Sequence, residues 1–343
     1  MSPPPSGRPR MSDVAEAAGV SHQTVSRVLN DVPGVREETR ARVLEAVQQL
    51  GYRRNLAARL LASTRSRTVG VVIWGMGHVG PASVLLALES AARGTDYRLA
   101  VANVLTLSAE AFRAAVDQLL EQAIEAMVVI VPHETVLRVA QSLSLDIPVV
   151  VVEGDLTSTP LTAGVDNVQG GRLATEHLLG LGHETVVHLA GPMGWAEATA
   201  RRDGWLTVLQ AADRRIPPVR WGGDWSARSG YQTGLSLARE RDVTAVFAAN
   251  DQMALGLLKA LREAGRRVPE DVSVVGFDDL PEAAYFEPAL TTVRQDFAGL
   301  GRRVMEVLQR VLEGEPRPRV DLVPSSLVVR ASTAPPPGTA SSP

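Results

Sequence analysis

From Val69 onward, short apolar runs alternate with amphipathic stretches, and this pattern limits the folds open to the chain. The alternation is typical of parallel sheets whose two faces are covered by helices. The runs are VGVVIW (69–74), RLAVANV (98–104), AMVVIVP (126–132), PVVVVEGD (148–155), TVVHLAGP (185–192), AVFAAND (245–251) and VSVVGFDD (272–279). With LTTV (290–293) and SSLVVR (325–330), they exceed the strands of one doubly wound domain. We therefore expect two α/β lobes, with the later segments crossing back.

The N-terminal part of the chain has a different character. Residues 11–63 are helix-patterned without a strand signal, and the boundary to the body falls at about 63–68. Residues 1–67 carry 11 arginines and 6 acidic residues, a net charge of +5, although the whole chain carries −3. A basic head on an acidic body is typical of a nucleic-acid-binding module joined to a domain with another role.

Composition excludes several classes of protein. The chain has no cysteine, so disulfides, thiolate metal sites and cysteine nucleophiles are ruled out. The N-terminal MSPPPSGRPR lacks the apolar region of a signal peptide, and no apolar run approaches the roughly 18 residues of a membrane span. We therefore expect a cytoplasmic, nucleoid-associated protein with no membrane partner.

The segment DVAEAAGVSHQTVSRVLN (13–30) predicts two short helices. Gly19 can end the first helix in the left-handed conformation, and Ser21 is a suitable N-cap for the second. Small apolar residues would let the two helices cross closely, as in a helix-turn-helix. A third helix at about 36–50 is expected to pack through Val43, Leu44, Val47 and Leu50. The start of the second helix would then face the major groove.

These residues resemble the head of the lac repressor (LacI/GalR) family of bacterial transcription factors. The resemblance covers residues 11 to about 333, and its most specific blocks after the head are GDWSARSGY (223–231), ANDQMALG (249–256), SVVGFDD (273–279) and LTTVRQDF (290–297). It implies an all-α helix-turn-helix head, a hinge helix, and a body of two doubly wound parallel-sheet lobes like periplasmic binding proteins. It also implies a homodimer on double-stranded, pseudopalindromic operator DNA. The expected DNA contacts are Ser21, His22, Gln23, Thr24, Ser26, Arg27, Asn30, Asn55, Ala58 and Leu61.

The family resemblance gives the following domain limits. Tails are expected at 1–10 and 334–343, the helix-turn-helix domain at 11–54, the hinge helix with its linker at 55–66 and the sugar-binding core at 67–333. Within the core, lobe 1 should span about 67–165 and 297–325, and lobe 2 about 166–296 and 326–333.

One motif in the body points to a different function. GMGHVG (75–80) fits the glycine pattern of dinucleotide-binding loops and follows a predicted strand. The next predicted strand ends in Asn103, however, where an acidic residue would bind the ribose. We therefore expect no cofactor, and interpret the glycines as a strand-end loop beside a ligand.

Polar side chains cluster where predicted strands end, and ligands of open α/β sheets bind outside these ends. Carboxylates and amides there suit a neutral polyol, and Trp225 could stack on a sugar face. The family resemblance implies ligand contacts at Pro81, Val84, Glu153, Arg201, Trp225, Asn250, Asp278, Gln295 and Phe297. Five positions depart from the family pattern, namely His78, Gly80, Ile130, Val165 and Glu197. The ligand is therefore expected to be a sugar or glycoside, and no particular sugar is fixed. Asp166 and Asp251 could equally cap the following helices.

Three classes of function compete. The leading hypothesis is a transcriptional repressor whose inducer is a galactoside-like sugar. Within this class, a purine-type regulator, in which the ligand strengthens DNA binding, remains open. The second class is a sugar-transport binding protein, which shares the two-lobed body. An enzyme is not expected, because the six histidines show no metal-ligand spacing and no G-x-S-x-G motif occurs.

Overall fold

A computed structural model of the chain describes residues 9–29, 32–52, 65–130, 133, 139, 145–152, 161–192, 194–219, 222–315 and 322–338. The chain divides into two compact units, the head Met1–Ser66 and the body Arg67–Pro343. In the described residues, no helix has both the length and the apolar character needed to cross a bilayer.

The described residues of the head form three helices, α1 (Met11–Ala18), α2 (His22–Leu29) and α3 (Glu37–Gln49). Gly19 ends α1 with a φ of 60°, and Ser21 Oγ accepts from the backbone N–H of Thr24 at 3.1 Å, as expected for an N-cap of α2. The helix-turn-helix prediction is thereby confirmed.

The packing of α3 differs from the prediction in part. Val43 is buried and Val47 is half-buried, but Leu44 is 49% and Leu50 37% exposed, and Ala46 is buried in their place. With 3.6 residues per turn, Val43, Ala46 and Val47 share one face, whereas Leu44 is rotated about 100° away from Val43. Leu50 lies just beyond the helix end, so its expected packing position was also wrong.

The first lobe of the body is a parallel sheet in the order β2-β1-β3-β4-β5. Its central strands β1 and β3 are buried except for the half-buried Trp74 at the end of β1, as expected from their apolar sequence. A helix from late in the sequence, α10, packs on α4, so the chain does cross back to this lobe. The elements are β1 (Thr68–Trp74), α4 (Val79–Ala92), β2 (Arg98–Val104), α5 (Ala109–Leu120), β3 (Ala126–Ile130), β4 (Val149–Val152), β5 (Thr162–Ala163) and α10 (Phe297–Leu312).

The second lobe has the strand order β10-β9-β8-β7-β6. Its strands are parallel except for the edge strand β10, which runs antiparallel to β9. The elements are α6 (Asn167–Gly180), β6 (Val187–Leu189), α7 (Ala196–Ala211), α8 (Ala227–Leu237), β7 (Ala245–Ala248), α9 (Asp251–Glu263), β8 (Ser273–Asp278), a 3-10 helix (Pro281–Tyr285), β9 (Thr291–Arg294) and β10 (Ser326–Val328). The two parallel-sheet lobes confirm the predicted fold class.

The ordered C-terminal segment extends beyond the predicted limit at residue 333. The carbonyl oxygen of Ala334 lies 3.0 Å from His183 Nε2 and accepts from Ser273 Oγ at 2.9 Å. The backbone N–H of Ala334 donates to the same Ser273 Oγ at 3.0 Å. The expectation of a tail from residue 334 is therefore wrong for this residue, because two polar side chains of the second lobe bind its backbone.

The contact of α10 with α4 leads to a stability prediction. A Cβ added at Gly301 would lie 2.5 Å from the backbone carbonyl of Ala87, so the helices would have to separate. We expect Gly301→Ala to lower the free energy of unfolding by about 1–3 kcal/mol, the usual cost of overpacking. Gly180→Ala is the matched control, because a Cβ there meets no atom within 4 Å. Urea unfolding of both variants is the measurement, and equal stabilities would refute the packing argument.

Candidate functional site

The exposed face of α2 carries the polar residues expected to meet DNA. Val25 and Val28 are buried against the other head helices, so His22, Gln23 and Arg27 are left exposed on the remaining surface. Gln and Arg have the donors and acceptors that discriminate adenine and guanine in the major groove. The N-terminus of a helix also favours an anion, which suits a DNA phosphate.

The other predicted head contacts differ in their surroundings. Ser21 is exposed, but its hydroxyl caps α2, and Thr24 and Ser26 are half-buried. Arg27 Nη2 donates to the carbonyl oxygen of Pro33 at 3.1 Å, which links the helix to the loop that follows it. Asn30, Asn55, Ala58 and Leu61 lie outside the described residues.

In the body, the carboxyl ends of the second lobe's strands surround a buried ion pair. Arg201, on α7, is 4% exposed and its Nη2 lies 3.4 Å from Asp278 Oδ1 at the end of β8. Gln295 Nε2 donates to the same carboxylate oxygen at 2.7 Å. Burial raises the pKa of Asp278 to about 6, while the Arg201 charge and the Gln295 hydrogen bond oppose this rise.

Arg201 is fixed by further contacts on every side of its guanidinium. Its Nε donates to Asn167 Oδ1 at 2.8 Å and its Nη1 to the carbonyl oxygen of Ala249 at 2.6 Å. Its Cζ also lies 3.8 Å from the centroid of the Phe277 ring. The structure thus buries the side chain in the strand-end crevice.

The polar residues at strand ends divide into two groups. Asn250 is the N-cap of α9, with Oδ1 accepting from Met253 N at 2.9 Å, and its Nδ2 donates to the carbonyl oxygen of Trp225 at 3.1 Å. Asp166 caps α6, one of its two predicted roles. Asp251 instead accepts hydrogen bonds from Thr292 Oγ1 and from the backbone N–H of Leu280, so it links the start of α9 to β9 and to the segment after β8.

Asp278 and Asp279 are adjacent but have different surroundings. Both have a positive φ, 105° and 53°, and Asp278 lines a cavity at the strand ends. The oxygens of Asp279 accept from Arg294 Nε and Arg330 Nη2, each at 2.6 Å. These two arginines come from β9 and from the segment after β10, so the Asp279 carboxylate links the two.

Two adjoining cavities lie between the lobes. The first is lined mainly by polar and aromatic residues, and the second mainly by apolar residues. Gly80, Pro81, Glu197 and Arg201 line both. The first also has His78, Val79, Trp195, Trp225, Asn250, Gln252 and Asp278, and the second has Val84, Ile130, Val152, Gln295 and Phe297.

The structure thus brings the described members of the predicted ligand set together, whereas Glu153 lies outside the described residues. Trp195 and Gln252 line the first cavity and were missed by the sequence reasoning. Trp195 follows the predicted strand TVVHLAGP within a few residues, so the strand-end rule could have found it. The glycine-rich segment 75–80 is the loop and helix start that border this cavity.

Trp225 combines an unusual backbone with a buried polar atom. Its φ is 72°, and the hydrogen bond from Asn250 to its carbonyl oxygen holds this conformation. The indole ring packs on Gly191, where an added Cβ would lie 2.3 Å from the ring. Its buried Nε1 has no acceptor among the described residues, so the indole can offer both a face and a donor to a ligand.

The helix-turn-helix head and the two-lobed body together define the class of the protein, a DNA-binding transcriptional regulator whose body resembles ligand-binding domains. Residues 10–55 match the bacterial regulatory proteins of the lacI family, and residues 175–333 match the periplasmic binding protein-like domain. The chain is 36% identical over 328 residues to the lactose operon repressor of Escherichia coli (strain K12), covering 94% of this chain and 90% of the relative. It is 31% identical over 330 residues to the HTH-type transcriptional repressor PurR of Vibrio vulnificus (strain CMCP6), covering 93% and 97%.

A solved structure, the lac repressor dimer bound to operator and the anti-inducer ONPF, matches with a TM-score of 0.85. The sequences are 35% identical, and the match covers 96% of this chain and 100% of that chain. The chain therefore belongs to the lacI family and is a DNA-binding transcriptional repressor of that family. The predicted resemblance is confirmed, and these relatives are regulators rather than enzymes.

The buried carboxyl of Asp251 generates a prediction about pH. Burial, reinforced by the charge of Asp278, raises the pKa of Asp251 to about 8, whereas that of an unfolded Asp is about 3.9. Its protonated form is thus favoured in the folded state, so its contribution to stability is present below about pH 4 and is lost as the pH rises towards 8. In Asp251→Asn, the free energy of unfolding should fall less between pH 4 and pH 8 than in the wild type.

Urea unfolding at several pH values in this range measures the difference. Asp242→Asn is the control, because the side chain of Asp242 is 68% exposed and its 3.6 Å ion pair with Arg215 lies on the surface. If Asp251→Asn and the wild type showed parallel pH dependences, the buried carboxyl would not be the source of the effect.

Proposed function

We propose that this repressor acts as a homodimer on a pseudopalindromic operator and releases it when a sugar or glycoside binds in the cavities between the lobes. The observation that carries the proposal is the buried group of Arg201, Asp278 and Gln295, which lies where the two cavities adjoin. Carboxylate and guanidinium groups bind ring hydroxyls through charge-assisted hydrogen bonds, and an amide adds neutral ones. Trp225 supplies a flat apolar face beside them.

The adjoining apolar cavity supports a glycoside rather than a highly charged ligand. Val84, Ile130, Val152 and Phe297 can receive an apolar group or the C–H face of a second ring. The solved structure described above contains the anti-inducer ONPF in a lac repressor. We therefore propose the same class of ligand for this chain, without a particular sugar.

The competing proposal is a purine-type corepressor, which would strengthen DNA binding. A thermal-shift screen of sugars and glycosides, with nucleobases and nucleosides as the second class, distinguishes the two. A glycoside that raises the thermal midpoint and releases operator supports the proposed inducer. A nucleobase that raises it and tightens operator binding would establish the corepressor instead.

The DNA-binding part of the proposal predicts a loss of base discrimination in Gln23→Ala. Selection of duplexes from a random library with the wild type first gives the operator, in which we expect inverted half-sites because a two-fold dimer presents two copies of α2. Gln23→Ala should then lose about 1–3 kcal/mol of binding free energy and relax base preference at one position of each half-site. Arg27→Ala should weaken all sequences more evenly if it contacts phosphate.

Gln48→Ala is the matched control, since Gln48 is an exposed glutamine on α3, away from the start of α2. It should leave both affinity and base preference unchanged. An unaltered base preference in Gln23→Ala across a panel of operators would contradict the proposed role of α2.

The ligand-binding part of the proposal predicts that Asp278→Asn weakens glycoside binding without weakening operator binding. Operator binding should stay intact, because the change is confined to the body. Loss of one charge-assisted hydrogen bond, worth about 1.5–3 kcal/mol, should weaken the affinity for the glycoside found in the screen about 10- to 150-fold. Operator should therefore be released only at correspondingly higher glycoside concentrations, whereas Asp242→Asn should behave as the wild type. Release by Asp278→Asn at the wild-type concentration would place the ligand elsewhere.

A further inference from the structure

A group of four rings crosses from one lobe to the other beside the first cavity. Trp74, His78 and His133 belong to the first lobe, and Trp195 belongs to the second. The ring centroids of Trp74 and Trp195 are 5.2 Å apart, those of His78 and Trp195 are 5.1 Å apart, and those of Trp74 and His133 are 6.3 Å apart. We call this group the aromatic clasp.

The backbone is shaped to bring these rings together. Trp74 is followed by Gly75, with a φ of 81°, and Trp195 is preceded by Gly194, with a φ of 89°. A Cβ at Gly75 would lie 3.3 Å from the His78 ring, and one at Gly194 would lie 3.1 Å from the His133 ring. The backbones of His133 and Trp195 also form an isolated antiparallel bridge. Both glycines thus provide the left-handed conformation and the space for close approach.

Trp74 packs against the apolar cores of both lobes. Its ring contacts the first-lobe cluster that contains Phe112 and Leu119, and the second-lobe cluster that contains Trp195 and Trp225. One side chain from the end of β1 therefore joins two cores that otherwise belong to different sheets. Close-packed interiors resist small displacements, so such a contact favours discrete arrangements of the lobes.

The clasp also borders the cavity proposed to hold the ligand. His78 and Trp195 are among its described lining residues, whereas Trp74 is not. Trp195 in turn contacts Trp225 on the opposite side, with ring centroids 5.6 Å apart. A ligand that touches Trp195 or Trp225 therefore touches the second-lobe part of the interlobe contact.

We infer that Trp74 is a positioning residue, which holds Trp195 at the cavity wall and locks the first lobe to the second. The role in ligand binding depends on the proposed function, because it requires that the ligand occupies this cavity. A ligand can shift the balance between two lobe arrangements only through different contacts in each. The ring contact between Trp74 and Trp195 provides such a difference, since it exists only while the lobes are together.

Distances between the lobes test this inference independently of any ligand. The chain has no cysteine, so the exposed Ala114 on α5 and Ala211 at the end of α7 can be changed to cysteine and spin-labelled selectively. Full-length protein diluted with unlabelled chain gives one labelled subunit per dimer. Pulsed electron resonance then measures the distance distribution between the lobes. We expect a narrow distribution for the wild type, a broader one for Trp74→Leu, and a nearly wild-type one for Trp74→Phe, which keeps a ring.

Ligand affinity provides the second measurement. Trp74→Leu should weaken binding of the glycoside from the screen about three- to tenfold, as expected for loss of an aromatic pair, although Trp74 is outside the described cavity lining. Phe112→Leu is the matched control, because Phe112 is fully buried in the same first-lobe core and belongs to α5, away from the second lobe. It should lower the thermal midpoint but leave the distance distribution and the glycoside affinity unchanged.

The possible outcomes separate the inference from the proposed function. The inference would be overturned if Trp74→Leu gave the wild-type distance distribution. It would also be overturned if Phe112→Leu changed the distance distribution and the glycoside affinity as much as Trp74→Leu does. If Trp74→Leu failed to fold, Trp74→Ile would take its place. A broadened distribution in Trp74→Ile, with Trp74→Phe close to the wild type, would support the inference, and an unchanged distribution in Trp74→Ile would overturn it. If no glycoside bound the wild type, the proposed ligand class would be wrong, and the distances alone would decide whether Trp74 locks the lobes.

Discussion

The buried guanidinium of Arg201 organises the ligand side of the body. It binds the ends of three separate elements, namely Asn167 at the start of α6, Ala249 after β7 and Asp278 at the end of β8. A charge in this position has lost its water, so each of its partners is needed to offset the cost of burial. Removing one partner of a buried pair typically costs about 3–5 kcal/mol. The strand ends of the second lobe are therefore held in one arrangement by a single side chain.

The helix packing beneath the site brings Arg201 to this place. A Cβ at Gly171 of α6 would lie 2.2 Å from the carbonyl oxygen of Arg201, so α6 and α7 meet where the Arg201 side chain leaves the backbone. The guanidinium then extends over the ring of Phe277 to reach the carboxylate of Asp278. The close approach of α6 and α7 therefore serves both the packing of the second lobe and the placement of Arg201 at the proposed ligand site.

Much of the candidate site follows from local sequence rules. Gly19 and Ser21 mark the turn of the head, and polar residues after apolar runs indicate the carboxyl ends of parallel strands. Family resemblance adds Gln295 and Phe297, which follow β9 and lie at the second cavity. Trp74 and Trp195 could not be paired in this way. They are 121 positions apart in different sheets, and neither residue alone signals that the other lies beside it.

The sequence by itself determined most of the elements: three head helices from periodicity and caps, and two sets of buried strands from apolar runs, although the two-residue strand β5 gave no such run. These signals are local, since each depends on residues within a few turns or along one strand. Tertiary structure alone decided the partners, including Arg294 and Arg330 on Asp279, the backbone of Ala334 on His183, and the antiparallel β10 at the sheet edge. The physical reason is that a side chain's partner depends on how distant elements stack and in which register, and no residue pattern within one element contains that information.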